Sequence, residues 1–207
     1  MHNTRLGFLA SSRGSNMQAI IDACKAGLLP AQPVVIISNN SGSGALARAR
    51  SEGIAGIHLG GSVYPDPEEL DRKIADTLRE YGVELVILAG YMKKIGKHVL
   101  AAYPGRILNI HPALLPKYGG QGMYGMRVHE AVIANGDSES GVTIHVVDGQ
   151  YDRGPILAQK KVAVAATDTA ESLSRKVLAA EHQLYVETLG RILAGDIKLP
   201  AVTDTSG

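Results

Sequence analysis

A carboxamide and an imidazole stand two residues apart in the run Ile107-Leu108-Asn109-Ile110-His111-Pro112. The run is apolar and strand-like until Pro112, which has no N–H to donate and ends any ladder. Side chains two apart on a strand share a face, so Asn109 and His111 are expected together at the mouth of a sheet. A carboxamide N–H can stabilise an oxyanion, and a histidine can handle protons near pH 7. The pair therefore suits acyl-transfer chemistry, but it lacks a carboxylate to tune the histidine. Asp152, in Tyr151-Asp152-Arg153-Gly154-Pro155, is the candidate: it precedes a strand and can reach the same rim. Each has a plainer account when read alone. His111 is then a satisfied histidine at a strand end, and Asp152 an ordinary turn residue.

A second group is Gly14-Ser15-Asn16, which follows an apolar run and opens a helix. Helix N-termini present free N–H groups and partial positive charge, so this turn suits a phosphate. Glycine lets the backbone approach closely, and Ser15 and Asn16 add side-chain donors. Neither a Gly-Lys-Ser/Thr ending nor Gly-x-Gly-x-x-Gly is present, which disfavours a nucleotide triphosphatase and a conventional dinucleotide oxidoreductase. His58, His98, His129, His145 and His182 lack the spacing of a zinc motif, so no metal is expected. His145 alternates within a strand and reads as core or support. Lys93-Lys94 is either a solvated pair or the rim of a pocket for an acidic ligand, and Arg48 and Arg50 read as a solvated helix face.

The elements that must position these groups alternate. Strands are expected at Leu6–Ala10, Val34–Ile37, Ile57–Leu59, Leu85–Ala89 and from Ile107. Between them, apolar residues recur at helical spacing from Met17 to Cys24, over Ala45–Arg50, over Glu68–Tyr81 and near Lys97–Ala102. This pattern predicts a three-layer α/β fold, a mostly parallel twisted sheet with helices on both faces. Ligands of such sheets bind beyond the strands' carboxyl ends, so the Ser11–Asn16 loop, the segment after Ala89, and His111 should lie along one rim. Beyond Pro116 a glycine-rich loop (Lys117–Met126) leads to a helix at Val128–Ala134. Strands at Gly141–Val147 and Ile156–Val164, read as a possible antiparallel hairpin, flank the Asp148–Gly154 loop. A long helix from Thr169 to Leu193 follows, capped by Thr169 and stopped by Gly195. A frayed tail is expected from Pro200.

At 207 residues, with 45% hydrophobic residues, the chain suits one domain with one substantial core. A net charge of +1 and 4% aromatic residues give no sign of a nucleic-acid or membrane-surface partner. No apolar run is long enough to span a bilayer, no signal-peptide pattern opens the chain, and Cys24 is the single cysteine. A cytoplasmic protein is expected, with Cys24 serving packing.

Taken together, these motifs resemble the folate-dependent formyltransferases, specifically the glycinamide ribonucleotide branch, from about Leu6 to Leu193. The resemblance rests on Gly14 to Ile20, on Leu88-Ala89-Gly90-Tyr91-Met92, on Leu108 to Pro116, and on Gly141 to Val147 followed by Asp152-x-Gly-Pro. It implies a Rossmann-like formyltransferase fold filling residues 1–207. The phosphate-binding half would be about 1–105, the catalytic and folate half about 106–195, and the tail 196–207. It implies formyl transfer from 10-formyltetrahydrofolate, as co-substrate, to the amine of glycinamide ribonucleotide in purine biosynthesis, without a metal, by a monomer or homodimer. Asn109 and protonated His111 would stabilise the tetrahedral intermediate, with Asp152 raising the His111 pKa. Gly14, Ser15 and Asn16 would bind the substrate phosphate, and Glu181 the ribose. Leu88, Met92, Lys93, Lys94 and Ile95, with Val147, Asp148, Gly149, Gln150 and Tyr151, would hold the folate. Leu115-Pro116 is expected to be cis. Pro67 falls where several relatives carry a folate-contacting arginine. The Gly119–Met126 loop is longer than the family's commonest form, and Arg127 and His129 match two family histidines. The alternatives are a formyltransferase for another amine such as an amino-sugar nucleotide, a formyltetrahydrofolate hydrolase, and a non-catalytic nucleotide- or folate-binding module.

Overall fold

In the computed structural model, which describes residues 3–200, a seven-stranded sheet runs β3-β2-β1-β4-β5-β6-β7. In chain order the elements are β1 (Thr4–Ala10), α1 (Ser15–Lys25), β2 (Ala31–Ser38), α2 (Gly44–Glu52), β3 (Ala55–His58), α3 (Pro67–Glu80) and β4 (Leu85–Leu88). There follow α4 (Lys97–Ala102), β5 (Ile107–His111), α5 (Met126–Ala134), β6 (Glu139–Val146), β7 (Ile156–Ala163) and α6 (Ala170–Leu193). The five strands from β3 to β5 are parallel; β6 and β7 add antiparallel at one end. The expected fold class holds, including the β6–β7 hairpin and its antiparallel place at the C-terminal side. The sheet crosses both halves of the chain without a break.

Each sheet face carries its own core. Leu6, Phe8, Ile36, Ile87, Leu108 and Ile144 pack with α1 and α6 on one face, while Leu9, Val35, Ile37, Val86 and Ile107 pack with α3 and α4 on the other. Alternate residues of one strand thus serve opposite layers, which is why the central strands read as unbroken apolar runs.

Strand order reverses between β1 and β4, and that is where an open α/β sheet parts its loops into a crevice. The two loops are stitched together there. Ser11 N–H donates to Gly90 O (3.1 Å), and Ser11 Oγ accepts from Met92 N–H (2.7 Å). The Leu115-Pro116 peptide is cis as expected. Helix starts follow local chemistry: Asp66 caps α3 with Pro67 in its first turn, and Thr169 and Ser172 form a reciprocal capping box on α6. Of the expected frayed tail, Pro200 is described and its carbonyl accepts from Arg106 (3.1 Å); residues 201–207 lie outside the described residues.

Candidate active site

Beyond the carboxyl ends of β1, β4 and β5 opens a cavity of about 860 Å³. It is lined from the first loop by Gly14, Ser15 and Asn16, from β5 by Asn109 and His111, and from the loop after β6 by Asp152. The rim anticipated from strand ends is therefore one continuous wall. Gly14 stands at the N-cap of α1 in the left-handed region (φ 68°), and no side chain caps that helix. Its leading N–H groups remain available to an anion.

At the other end, four side chains converge. Asn109 and His145 are direct partners across β5 and β6, and Asn109 Nδ2 lies 3.1 Å from His145 Nε2. The opposite ring nitrogen, Nδ1, sits 3.0 Å from the Val146 carbonyl. A carbonyl only accepts, so Nδ1 carries a proton and Nε2 accepts from Asn109. That fixes the carboxamide and leaves its second N–H for the cavity. Asp152 lies between two imidazoles, with Oδ2 3.5 Å from His111 Nδ1 and Oδ1 3.5 Å from His145 Nε2. Its Oδ2 also accepts Gly120 N–H (3.0 Å).

His111 is 4% exposed, and its Nε2–H donates to the Tyr118 carbonyl at 2.7 Å. By the same logic the neutral ring keeps its proton on Nε2 and turns a bare Nδ1 toward the Asp152 carboxylate. Burial works against the protonated form of His111 that the resemblance implies. Burial, the strongest influence, pushes its pKa below the ordinary value; Asp152 and the Tyr118 carbonyl pull it up, as anticipated for Asp152, but do not win, and His145 pushes it down further. Burial also pulls the Asp152 carboxyl up. The His145 and His111 rings when protonated, with the Gly120 N–H, outweigh it and lower the Asp152 pKa below the usual carboxylate range.

Glu181, on α6, closes the wall between the two ends. Its Oε2 accepts Asn16 Nδ2–H at 2.8 Å, and burial raises its pKa to about 7 against the lowering effect of that bond. The Asn16 Oδ1 is buried with no hydrogen-bond partner among the described residues. Of the expected folate residues, Leu88, Met92, Lys93, Lys94, Ile95, Val147, Gly149, Gln150 and Tyr151 line the cavity. Asp148 does not line it; its carboxylate accepts Gln150 N–H (3.1 Å) and shapes the turn. Met92 and Tyr151 are exposed at the mouth, and Lys94 Nζ sits 5.7 Å over the Tyr151 ring. The whole Gly120–Arg127 segment and the buried His129 also face the cavity. Pro67 lines a second, adjoining cavity of about 790 Å³, which shares Lys93, Lys94 and Ile95 with the first.

Two contributors escaped sequence reasoning, while His145, read as core or support, is buried and holds Asn109. Tyr118 and Gly120 act through backbone groups of a glycine-rich loop, which side-chain types do not signal. Among the described residues no group of three or more His, Cys, Asp or Glu could hold a metal ion.

Residues 4–189 match the family model described as formyl transferase. The chain belongs to the formyl transferase family. It is 44% identical over 195 residues to a chloroplastic phosphoribosylglycinamide formyltransferase of Arabidopsis thaliana, covering 94% of this chain and 67% of that protein. It is 37% identical over 191 residues to the phosphoribosylglycinamide formyltransferase of Escherichia coli, covering 92% and 88%. A crystal structure of glycinamide ribonucleotide transformylase 1 from Symbiobacterium toebii superposes with a TM-score of 0.89 at 37% identity, covering 97% and 95%. Formyl transferase membership makes this chain a transferase enzyme with 10-formyltetrahydrofolate as its co-substrate, and it accounts for the fold. No helix of the described residues is long and apolar enough to cross a membrane.

Proposed function

We propose that the chain transfers the formyl group of 10-formyltetrahydrofolate to the amine of glycinamide ribonucleotide, a step of purine biosynthesis. The observation that carries this reading is the convergence of Asn109, His111 and Asp152 in one cavity whose other end is an uncapped helix N-terminus. A phosphate at Gly14, Ser15 and Asn16, with the ribose against Glu181, points the amine of such a substrate toward Asn109. The folate enters by Met92 and Tyr151 and lies along Leu88, Lys93 to Ile95, Val147, and Gly149 to Tyr151. The relatives in Arabidopsis thaliana and Escherichia coli, both phosphoribosylglycinamide formyltransferases, support the same acceptor.

In the reaction, the amine lone pair attacks the formyl carbon and the carbonyl π pair moves onto oxygen. Asn109 Nδ2–H donates to that oxyanion. His111 rests neutral in the buried site. As the adduct forms, the proton lost by the amine passes to Nδ1, where Asp152 and the growing negative charge favour the imidazolium; its Nδ1–H serves the oxyanion and then goes to N10. The intermediate collapses by re-forming the carbonyl and breaking the bond to N10. The proton lost by the amine is the one N10 gains. No covalent formyl-enzyme forms.

The division into a phosphate half (about 1–105) and a catalytic and folate half (about 106–195) follows from these assignments. The chain acts as a monomer or homodimer in the cytoplasm, a reducing setting that suits the unpaired Cys24.

The test follows deformylated folate with purified protein, with and without glycinamide ribonucleotide. Amine-dependent release is expected; amine-independent release would indicate a hydrolase, and none at all a binding module. His111→Ala and Asp152→Asn are each expected to lower kcat by roughly 10²–10⁴-fold while binding of glycinamide ribonucleotide persists.

A further inference from the structure

Outside the cavity, at the C-terminal end of α5, lies a polar cluster that the reaction as written does not use. The helix ends at Asn135, Gly136 turns the chain (φ 65°), and Asp137 follows. Asp137 Oδ2 accepts from Tyr118 Oη at 2.7 Å and from Lys117 Nζ at 2.6 Å. Asn135 Nδ2 donates to the same Tyr118 hydroxyl at 2.8 Å, and Lys117 Nζ lies 5.1 Å over the Tyr118 ring. The hydroxyl is thus both donor and acceptor, fully engaged, and the Asp137 carboxyl is held low by Lys117 and Tyr118.

What the cluster grips is unusual backbone. Tyr118 has φ 58°, and among the described residues the other non-glycine with positive φ is Asp152, at 54°. A bulky side chain adopts that region only where its surroundings hold it there. The Tyr118 carbonyl, so oriented, takes the His111 Nε2–H at 2.7 Å. Two residues on, Gly120 N–H meets Asp152. One short segment therefore touches both members of the His111–Asp152 pair through its backbone.

We infer that Asp137 is a positioning residue for His111, acting through Tyr118. The carboxylate fixes the Tyr118 hydroxyl, the held side chain fixes the backbone, and the carbonyl fixes which ring nitrogen carries the proton. Nδ1 is thereby kept for Asp152 and the reacting centre. The other titratable groups that act on His111 are Asp152, His145 and His129; Asp152 stands at Nδ1 and the Tyr118 carbonyl at Nε2.

For its effect on turnover the inference rests on the catalytic reading of His111; its effect on the imidazole does not. The test is a substrate-free ¹⁵N NMR titration of the full-length protein, comparing wild type, Tyr118→Phe and Asp137→Asn. The His111 signal is assigned by its absence in His111→Asn. In both variants the His111 midpoint is expected to fall by about half a unit to one unit, because a hydrogen bond to the charged form is weakened. The nitrogen shifts should also move from an Nε2–H pattern toward a mixture of tautomers. With substrates, kcat should drop about tenfold, since misplacement of a reacting group is costly, and the amine KM should stay within about twofold. Unchanged His111 midpoint and tautomer in both variants would overturn the inference, even with a lower melting temperature. A shift in Asp137→Asn alone would also overturn it, as a direct charge effect that bypasses Tyr118. Should His111→Asn retain wild-type turnover, the catalytic reading fails, while the titration still decides the clamp.

Discussion

Carboxylates are rarely buried without a full partner, and Glu181 has one hydrogen bond from Asn16 for a side chain almost removed from water. Its folded-state pKa, about 7, lies above the unfolded value, so the folded chain holds a proton there that the unfolded chain releases. Stability from this group is present below about pH 4.5 and is lost as pH rises through 7. Glu181→Gln is therefore expected to match wild type near pH 4.5 in urea melts. Above pH 7 it should exceed wild type by up to about 3 kcal/mol. The same substitution should weaken binding of glycinamide ribonucleotide, because a ribose hydroxyl loses its anionic acceptor. Asn109 makes a different case: with one N–H held by His145, Asn109→Ala should cost about 10²–10³ in kcat, measured against an unchanged melting temperature. At this scale Asn109, His111 and Asp152 were legible as candidates by type and spacing, their joint role came from the family resemblance, and the fold brings them to one cavity. The protonation state of His111 was not, since it depends on how far burial outweighs Asp152, and burial is a property of the assembled loops. Tyr118 and Gly120 were hidden for a related reason, as any residue type supplies a carbonyl or an N–H.

Helix α6 shows how an element sets a site it hardly enters. One turn beyond Glu181, the fully buried Tyr185 sends its hydroxyl between the carbonyls of Leu88 and Leu108, at 3.2 and 3.1 Å. Leu108 precedes Asn109, so the bond ties α6 to β4 and β5 at the point where catalytic geometry is set. Tyr185→Phe is expected to cost about 1–2 kcal/mol in chemical denaturation and to lower kcat more than it raises either KM. Thr169→Ala, which opens the capping box at the far end of the same helix, should cost about 1 kcal/mol and leave kcat unchanged. The elements were largely readable because helical and strand periods differ, and their edges were not. Strand β2 starts at Ala31 rather than Val34 because the sheet absorbs Pro33: β1 shifts register between Leu6 and Gly7, where Pro33 lies opposite, and β3 pairs only from Val35 onward. A proline inside a paired strand usually argues against the assignment; here the irregularity accommodates it. Helix α5 likewise begins at Met126, two residues earlier than its apolar period suggested, because the glycines before it rather than its own face determine where it can start.

For the molecule as a whole, the crevice at the switch point joins the two ends of the chain, whose first and last helices share one core. Asn16 starts the chain's first helix and Glu181 sits on its last, and the one bond between them crosses the cavity floor. A substrate whose phosphate meets the α1 N-terminus and whose ribose meets Glu181 would bind the folded chain and not the unfolded one. Its stabilisation then follows mass action: at a hundred times Kd it amounts to about 2.7 kcal/mol. For a chain of this size each kcal/mol moves the melting temperature by about 2–4 °C, so glycinamide ribonucleotide should raise it by roughly 5–11 °C. The dephosphorylated nucleoside, offered at the same concentration, should give little shift, because the uncapped N–H groups of α1 have no anion to meet. Equal shifts from the two ligands would mean that the Gly14 turn is an ordinary helix start, and that the amine is delivered to Asn109 and His111 by contacts elsewhere on the rim.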